Sequence, residues 1–137
     1  GVRSVFATRN AFAAVREDGS VVTWGDAVTG GDSSWMRERL SSGVQAIAST
    51  YRAFAALKED GSVVVWGKMR EGGTIWRTSA TPEQLQRMEE ELAGGVKEIY
   101  SASAAFVALK VDGTIVAWGS IYIPPTVWEE LEVGVKA

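Results

Sequence analysis

Apolar positions in this chain fall into short runs separated by polar turn residues, and the runs recur in the same order three times. Ala53 to Leu57 is a continuous apolar run between Arg52 and Lys58, as expected of a strand covered on both faces. Asp60-Gly61 follows, supplying the positive φ positions of a tight hairpin turn, and Val63 to Trp66 completes the hairpin. The same succession runs from Ala11 to Gly25 around Asp18-Gly19 and from Ala105 to Gly119 around Asp112-Gly113. Ahead of each hairpin, a Gly-Val-x-x-Val/Ile segment places Val2 and Val5, Val44 and Ile47, or Val96 and Ile99 where a further short strand can anchor on a core.

Aligned without a gap, Gly1 to Gly25, Gly43 to Gly67 and Gly95 to Gly119 are identical in 10 of 25 columns, which defines an internal repeat. The segments between them carry helical signals. Thr81-Pro82-Glu83-Gln84 has the form of a capping box with proline at the first helical position, Leu85, Met88 and Leu92 lie three and four apart, and Gly94-Gly95 provides a stop. Ser33 to Leu40 and Thr126 to Leu131 read as shorter counterparts, with Met36 and Leu40, then Val127 and Leu131, four apart. The expected architecture is mainly β with short connector helices: one domain, 1–137, of three tandem β-β-β-α repeats at 1–42, 43–94 and 95–133, with 134–137 beginning a fourth. Repeat starts at Gly1, Gly43, Gly95 and Gly134 put all of the length variation in the connectors.

Composition narrows the chemistry. A hydrophobic fraction of 46% fills a core, and a net charge of −3 is no footprint for neutralising nucleic-acid phosphates or docking on anionic lipid. With no cysteine and no histidine, thiolate chemistry, disulfides, the commonest near-neutral acid/base and the commonest metal ligand are all absent. No apolar run approaches the roughly 18 residues of a membrane span. Gly1 opens a repeat without a methionine, as a processed product or an excerpt would.

The pattern Ala-Leu-Lys-x-Asp-Gly-x-Val-x-x-Trp-Gly, clear from Ala56 to Gly67 and from Ala108 to Gly119, resembles the repeats of RCC1-like and β-lactamase-inhibitor-protein-II-like β-propellers. The wording around Ala11 to Gly25, followed by Gly30 to Ser34, is similar to the large tandem-repeat proteins of dinoflagellate algae. The resemblance implies a propeller-like arc or part of a β-propeller. Two departures stand out: Ala11, Ala53 and Ala105 occupy a column in which RCC1-like repeats usually carry histidine, and the Gly-Gln-Leu-Gly that often follows Trp-Gly is replaced in every unit. The exchange and inhibitory residues of those families therefore do not carry over. Propellers have about 4 to 8 blades, so three units imply further repeats, association of copies, or an open arc whose strand edges another protein can cover.

Trp24, Trp66 and Trp118, with Phe12, Phe54 and Phe106, occupy constant columns and are expected in the core, packing neighbouring repeats. Trp35, Trp76 and Trp128 lie 11, 10 and 10 residues beyond the hairpin tryptophans in otherwise dissimilar segments. They are read either as clamps of the connector onto the sheet or as anchors of a protein-binding surface, which Tyr122 and Ile123 would extend with Pro124 and Pro125. Asp18, Asp60 and Asp112 recur because the turn requires them, and Glu83, Glu89, Glu90 and Glu91 form a solvated helix face. Asp26 and Asp32 with Gly30-Gly31 lack calcium-loop spacing, and no Gly-Gly pair is completed by a phosphate-loop Gly-Lys-Ser/Thr.

The sequence thus points to a non-catalytic scaffold needing no metal or organic cofactor. Its partners are expected to be other proteins in a multi-subunit complex, not nucleic acid. The dinoflagellate resemblance implies an accessory, extrinsic subunit of an algal photosynthetic assembly, at the thylakoid of a plastid. The alternative that the RCC1-like resemblance implies is a regulatory binder of an enzyme or GTPase.

Overall fold

The computed structural model describes the backbone of residues 1–136 and the side chains of residues 1–131. The fourth-unit start expected at Gly134 to Ala137 lies outside the residues described in full. Three separate antiparallel sheets of three strands each follow one another along the chain. The first unit contains β1 (Val2–Ala7), β2 (Ala11–Arg16) and β3 (Val21–Gly25). The second contains β4 (Val44–Ser49), β5 (Ala53–Lys58) and β6 (Val63–Gly67), and the third β7 (Val96–Ser101), β8 (Ala105–Lys110) and β9 (Ile115–Gly119). In each sheet the second strand lies in the middle, and in β5 sheets packed on both faces bury every apolar position of its unbroken run.

Register is the same in all three units. Phe12 faces Trp24, Phe54 faces Trp66 and Phe106 faces Trp118. Their rings lie 5.3 to 5.4 Å apart, close enough for the phenylalanine and indole to pack as one apolar plate. The pairing of first and second strands shifts register between Val2 and Ser4, Val44 and Ala46, and Val96 and Glu98. This shared bulge, at a variable column, left no signature in the apolar pattern.

The hairpin turn differs from the expected form. Positive φ is confined to the glycine, at 80° in Gly19, 83° in Gly61 and 88° in Gly113. Gly19 N–H donates to Arg16 C=O (2.9 Å) and Arg16 N–H to Ser20 C=O (2.8 Å), the bonding of a three-residue loop closed by a glycine bulge. The aspartate acts through its carboxylate: Asp18 Oδ1 accepts from the Ser20 amide at 2.9 Å and from its hydroxyl at 2.5 Å. Asp60 with Ser62 and Asp112 with Thr114 repeat the arrangement.

Alternate faces of the sheets make two cores. Ala11, Ala13 and Val15 of the first unit pack on Phe54, Ala56, Val64 and Trp66 of the second, closed off by Leu40 and Val44. Ala53, Ala55, Leu57, Val63 and Val65 pack in the same way on Phe106, Ala108, Val116 and Trp118, closed off by Met88, Leu92 and Val96. Backbone bonds seal both seams: Val44 N–H donates to Gly19 C=O and Val96 N–H to Gly61 C=O, each at 2.9 Å. At the loops between first and second strands, Arg9 N–H donates to Tyr51 C=O (2.8 Å) and Tyr51 N–H to Ser103 C=O (2.9 Å). One column thereby links all three units.

The connectors diverge as their lengths do. The long one forms α1 (Pro82–Glu91), whose Thr81–Gln84 capping box is present in both directions. The helix expected at Ser33 to Leu40 is reduced to a 3-10 turn, Ser34–Met36, because so short a span cannot repay helix nucleation. The last connector forms α2 (Pro125–Lys136), which starts at the second of two prolines, a favoured first helical residue.

Candidate protein-interaction surface

Phe54, Trp66, Phe106 and Trp118 are fully buried, whereas Phe12 is 44% and Trp24 46% exposed. The expectation of core burial is corrected for that first pair. The two buried phenylalanine–tryptophan plates are each covered by the connector of the preceding unit. Trp66 Nε1–H donates to Gly30 C=O at 3.1 Å and Trp118 Nε1–H to Gly72 C=O at 3.2 Å. Gly30 (φ 117°) and Gly72 (φ 103°) seat the rings directly, since a Cβ at Gly30 would stand 2.6 Å from carbons of Phe54 and one at Gly72 would stand closer still to Phe106. Trp-Gly followed by Gly-Gly is therefore a ring seat, a role the glycines' failure to match a phosphate loop had left undefined.

Exposure extends beyond that pair. Val2 and Val5 are each 56% exposed and Val22 40%, whereas Val44, Val64, Val96 and Val116 in the equivalent columns are buried. Five apolar side chains thus share the open face of the first sheet.

Among the connector aromatics the structure separates clamps from free rings. Trp35 is 69% exposed, on the 3-10 turn Ser34–Met36. Trp76 is half-buried beneath the Arg70 guanidinium (5.0 Å), and its carbonyl accepts from Gly119 N–H. Trp128 is half-buried beneath Arg77 (5.3 Å), which also donates to Ala117 C=O. Burial holds the Arg77 pKa below its ordinary value. Tyr122 is exposed and Ile123 half-buried, in the extended segment before α2. Trp76 and Trp128 thus sit beside the third sheet and do not join Trp35.

Several aspartates are engaged in turns. Hydrogen bonds from Ser20 and Ser62 hold Asp18 and Asp60 below the ordinary value of 3.8, and Ser34 does the same for Asp32. Asp26 accepts from the Thr29 hydroxyl at 2.9 Å, and Glu71 pairs with Arg52 at 2.8 Å. Among the described residues no three His, Cys, Asp or Glu side chains are grouped to hold a metal ion. No described helix is long and apolar enough to cross a membrane.

No protein-family model and no curated protein matches the chain by sequence. Solved structures match by fold. Prp20p from Saccharomyces cerevisiae superposes with a TM-score of 0.56 at 18% identity, over 87% of this chain and 31% of its own. Human WBSCR16 gives 0.55 at 20% identity, over 86% and 34%. The CRINKLY WD40 ectodomain of the Arabidopsis thaliana receptor kinase ACR4 gives 0.55 at 17% identity, over 90% and 39%. The chain spans about a third of the length of these proteins, and its fold is that of RCC1-like and WD40-type β-propellers. Prp20p was described together with its binding to Gsp1p and histones, and yeast RCC1 was solved bound to Kap60.

Proposed function

We propose that this chain is a non-catalytic protein-interaction scaffold, an accessory subunit that joins a larger assembly through the open face of its first unit and its exposed connector side chains. The observation that carries the reading is the break in equivalence at the first unit. Three sheets share sequence, register and turn chemistry, yet the Phe12–Trp24 plate stands in solvent where its two counterparts are fully buried. Exposed apolar side chains gathered on one face of a small chain mark an interaction site. Trp35 and Tyr122 add recognition on connectors that vary in sequence while the sheets stay constant.

Asp18, Asp60 and Asp112 hold turns that recur in every unit, and the reading assigns them no catalytic role. The wording shared with dinoflagellate tandem-repeat proteins directs the search for partners to a plastid assembly, with the chain bound at the thylakoid surface. A second reading, a regulator of an enzyme or GTPase, draws on Prp20p and its binding to Gsp1p. It requires one transient partner instead of a fixed assembly.

The test is purification of the native protein with its neighbours, followed by the same purification with Trp35→Ala and with Tyr122→Ala. Loss of a stoichiometric complex, by about 1 to 4 kcal/mol of association free energy without loss of thermal stability, is the expected outcome. Retention of every partner by both variants would contradict a role for these connectors. A single nucleotide-dependent partner would establish the second reading instead.

A further inference from the structure

Resting on the reading of this chain as an interaction protein, we infer that a second surface, the rim formed by its interstrand loops and connector starts, binds an acidic, partly apolar segment of a partner protein whose carboxylates pair with Arg9 and Arg70. Backbone bonds bring this rim together. Arg9 N–H donates to Tyr51 C=O and Tyr51 N–H to Ser103 C=O, at 2.8 and 2.9 Å. The connector starts join the same loops, Asp26 N–H donating to Asn10 C=O, Lys68 N–H to Arg52 C=O and Ser120 N–H to Ala104 C=O, each at 2.9 Å. The units pack through their sheet faces, whereas the rim lies at strand ends. A further repeat on either side would therefore lengthen the rim instead of lying over it.

On a chain of net charge −3, the segments 8–10, 26–29, 50–52, 68–71, 102–104 and 120–122 reverse the sign: they hold Arg9, Arg52, Lys68 and Arg70 against Asp26 and Glu71. Glu71 is already paired with Arg52 at 2.8 Å. Arg9 and Arg70 are exposed, and each guanidinium is laid on a ring, Arg9 over Tyr51 at 5.3 Å and Arg70 over Trp76 at 5.0 Å. Among the described residues neither guanidinium carries a hydrogen bond or an ion pair. Stacking orders a planar fork of donors whose geometry matches a carboxylate, so less side-chain freedom is lost when a partner pairs with it. Val28 and Met69, 65% and 60% exposed on the same connector starts, add apolar contact beside the charges. A nucleic-acid backbone is held by about 6 to 10 phosphate contacts in a typical case, more than four basic side chains supply.

The experiment follows, by fluorescence anisotropy on the full chain, a labelled peptide of alternating glutamate and leucine, beside the same peptide with glutamine for glutamate and a single-stranded RNA of equal length. Saturable binding of the acidic peptide that weakens as salt rises is expected. Arg9→Ala and Arg70→Ala are each expected to weaken it by about three- to tenfold at unchanged thermal stability, since both side chains are exposed. Arg9→Lys and Arg70→Lys are expected to restore it only in part, because an ammonium lacks the planar fork. Arg37→Ala, at an exposed position beside the Asp18 turn, is expected to change nothing. Absence of binding, equal binding of the glutamine peptide, tighter binding of the RNA, or indifference to both arginines overturns the inference. Such a failure together with loss of the native complex in Trp35→Ala removes the rim alone. Failure together with retention of every partner by the connector variants removes the scaffold reading as well.

Discussion

At the scale of single residues, the same pair of side chains has two different energetic meanings. Trp66 is fully buried with its indole bonded to Gly30, so Trp66→Ala removes a large packed ring and is expected to cost about 3 to 5 kcal/mol in denaturant unfolding. Trp24→Ala at the equivalent column is expected to cost less than about 1.5 kcal/mol, because nearly half of the ring already faces water. Equal losses would mean that the first plate is covered within the isolated chain. The turn aspartates add a pH dependence. Asp18 and Asp60 have folded-state pKa values below the ordinary 3.8, so their contribution to stability is fully present above that value and is lost as pH falls through the lower folded value. Urea unfolding between neutral pH and about pH 2 is expected to show this decline, and the double substitution Asp18→Asn with Asp60→Asn is expected to flatten it. An unchanged slope would assign the acid sensitivity to other carboxylates.

At the scale of elements, what could be read in advance depended on how local the cause was. The hairpins were legible because Asp-Gly between two apolar runs specifies the turn from within a few residues. The α1 start was legible for the same reason, its capping box lying in Thr81 to Gln84. The bulge in each first strand was not, since it falls at Arg3, Gln45 and Lys97, a column with no constant residue. The seat glycines had a signal, Gly-Gly at the same distance from two hairpin tryptophans, but its meaning depended on a ring more than twenty residues further along the chain. Trp76 and Trp128 resembled Trp35 by spacing alone, and only the fold reveals the arginines that cover them. The seat itself can be tested: Gly30→Ala drives a Cβ into the Phe54 ring at a positive φ, and a loss of about 2 to 4 kcal/mol is expected by thermal unfolding. A neutral Gly30→Ala would show that the connector does not bear on the ring.

At the scale of the whole molecule, stability is carried by two seams between three sheets, each sealed by a glycine connector and a tryptophan–carbonyl bond. Such a stack buries each sheet against its neighbour, and among the described residues the Phe12 and Trp24 face of the first sheet is the uncovered counterpart of two buried ones. This is also why composition and spacing led toward the connectors alone: Phe12 and Trp24 are indistinguishable by sequence from their buried counterparts. The most direct measurement is hydrogen–deuterium exchange of the isolated chain against the chain in its native assembly. The account predicts slowed exchange in the assembly at β1, β3 and the loop around Trp35, with β5, already covered on both faces, unchanged. Equal exchange at β1 and β3 in the two states, with protection gained only elsewhere, would contradict it.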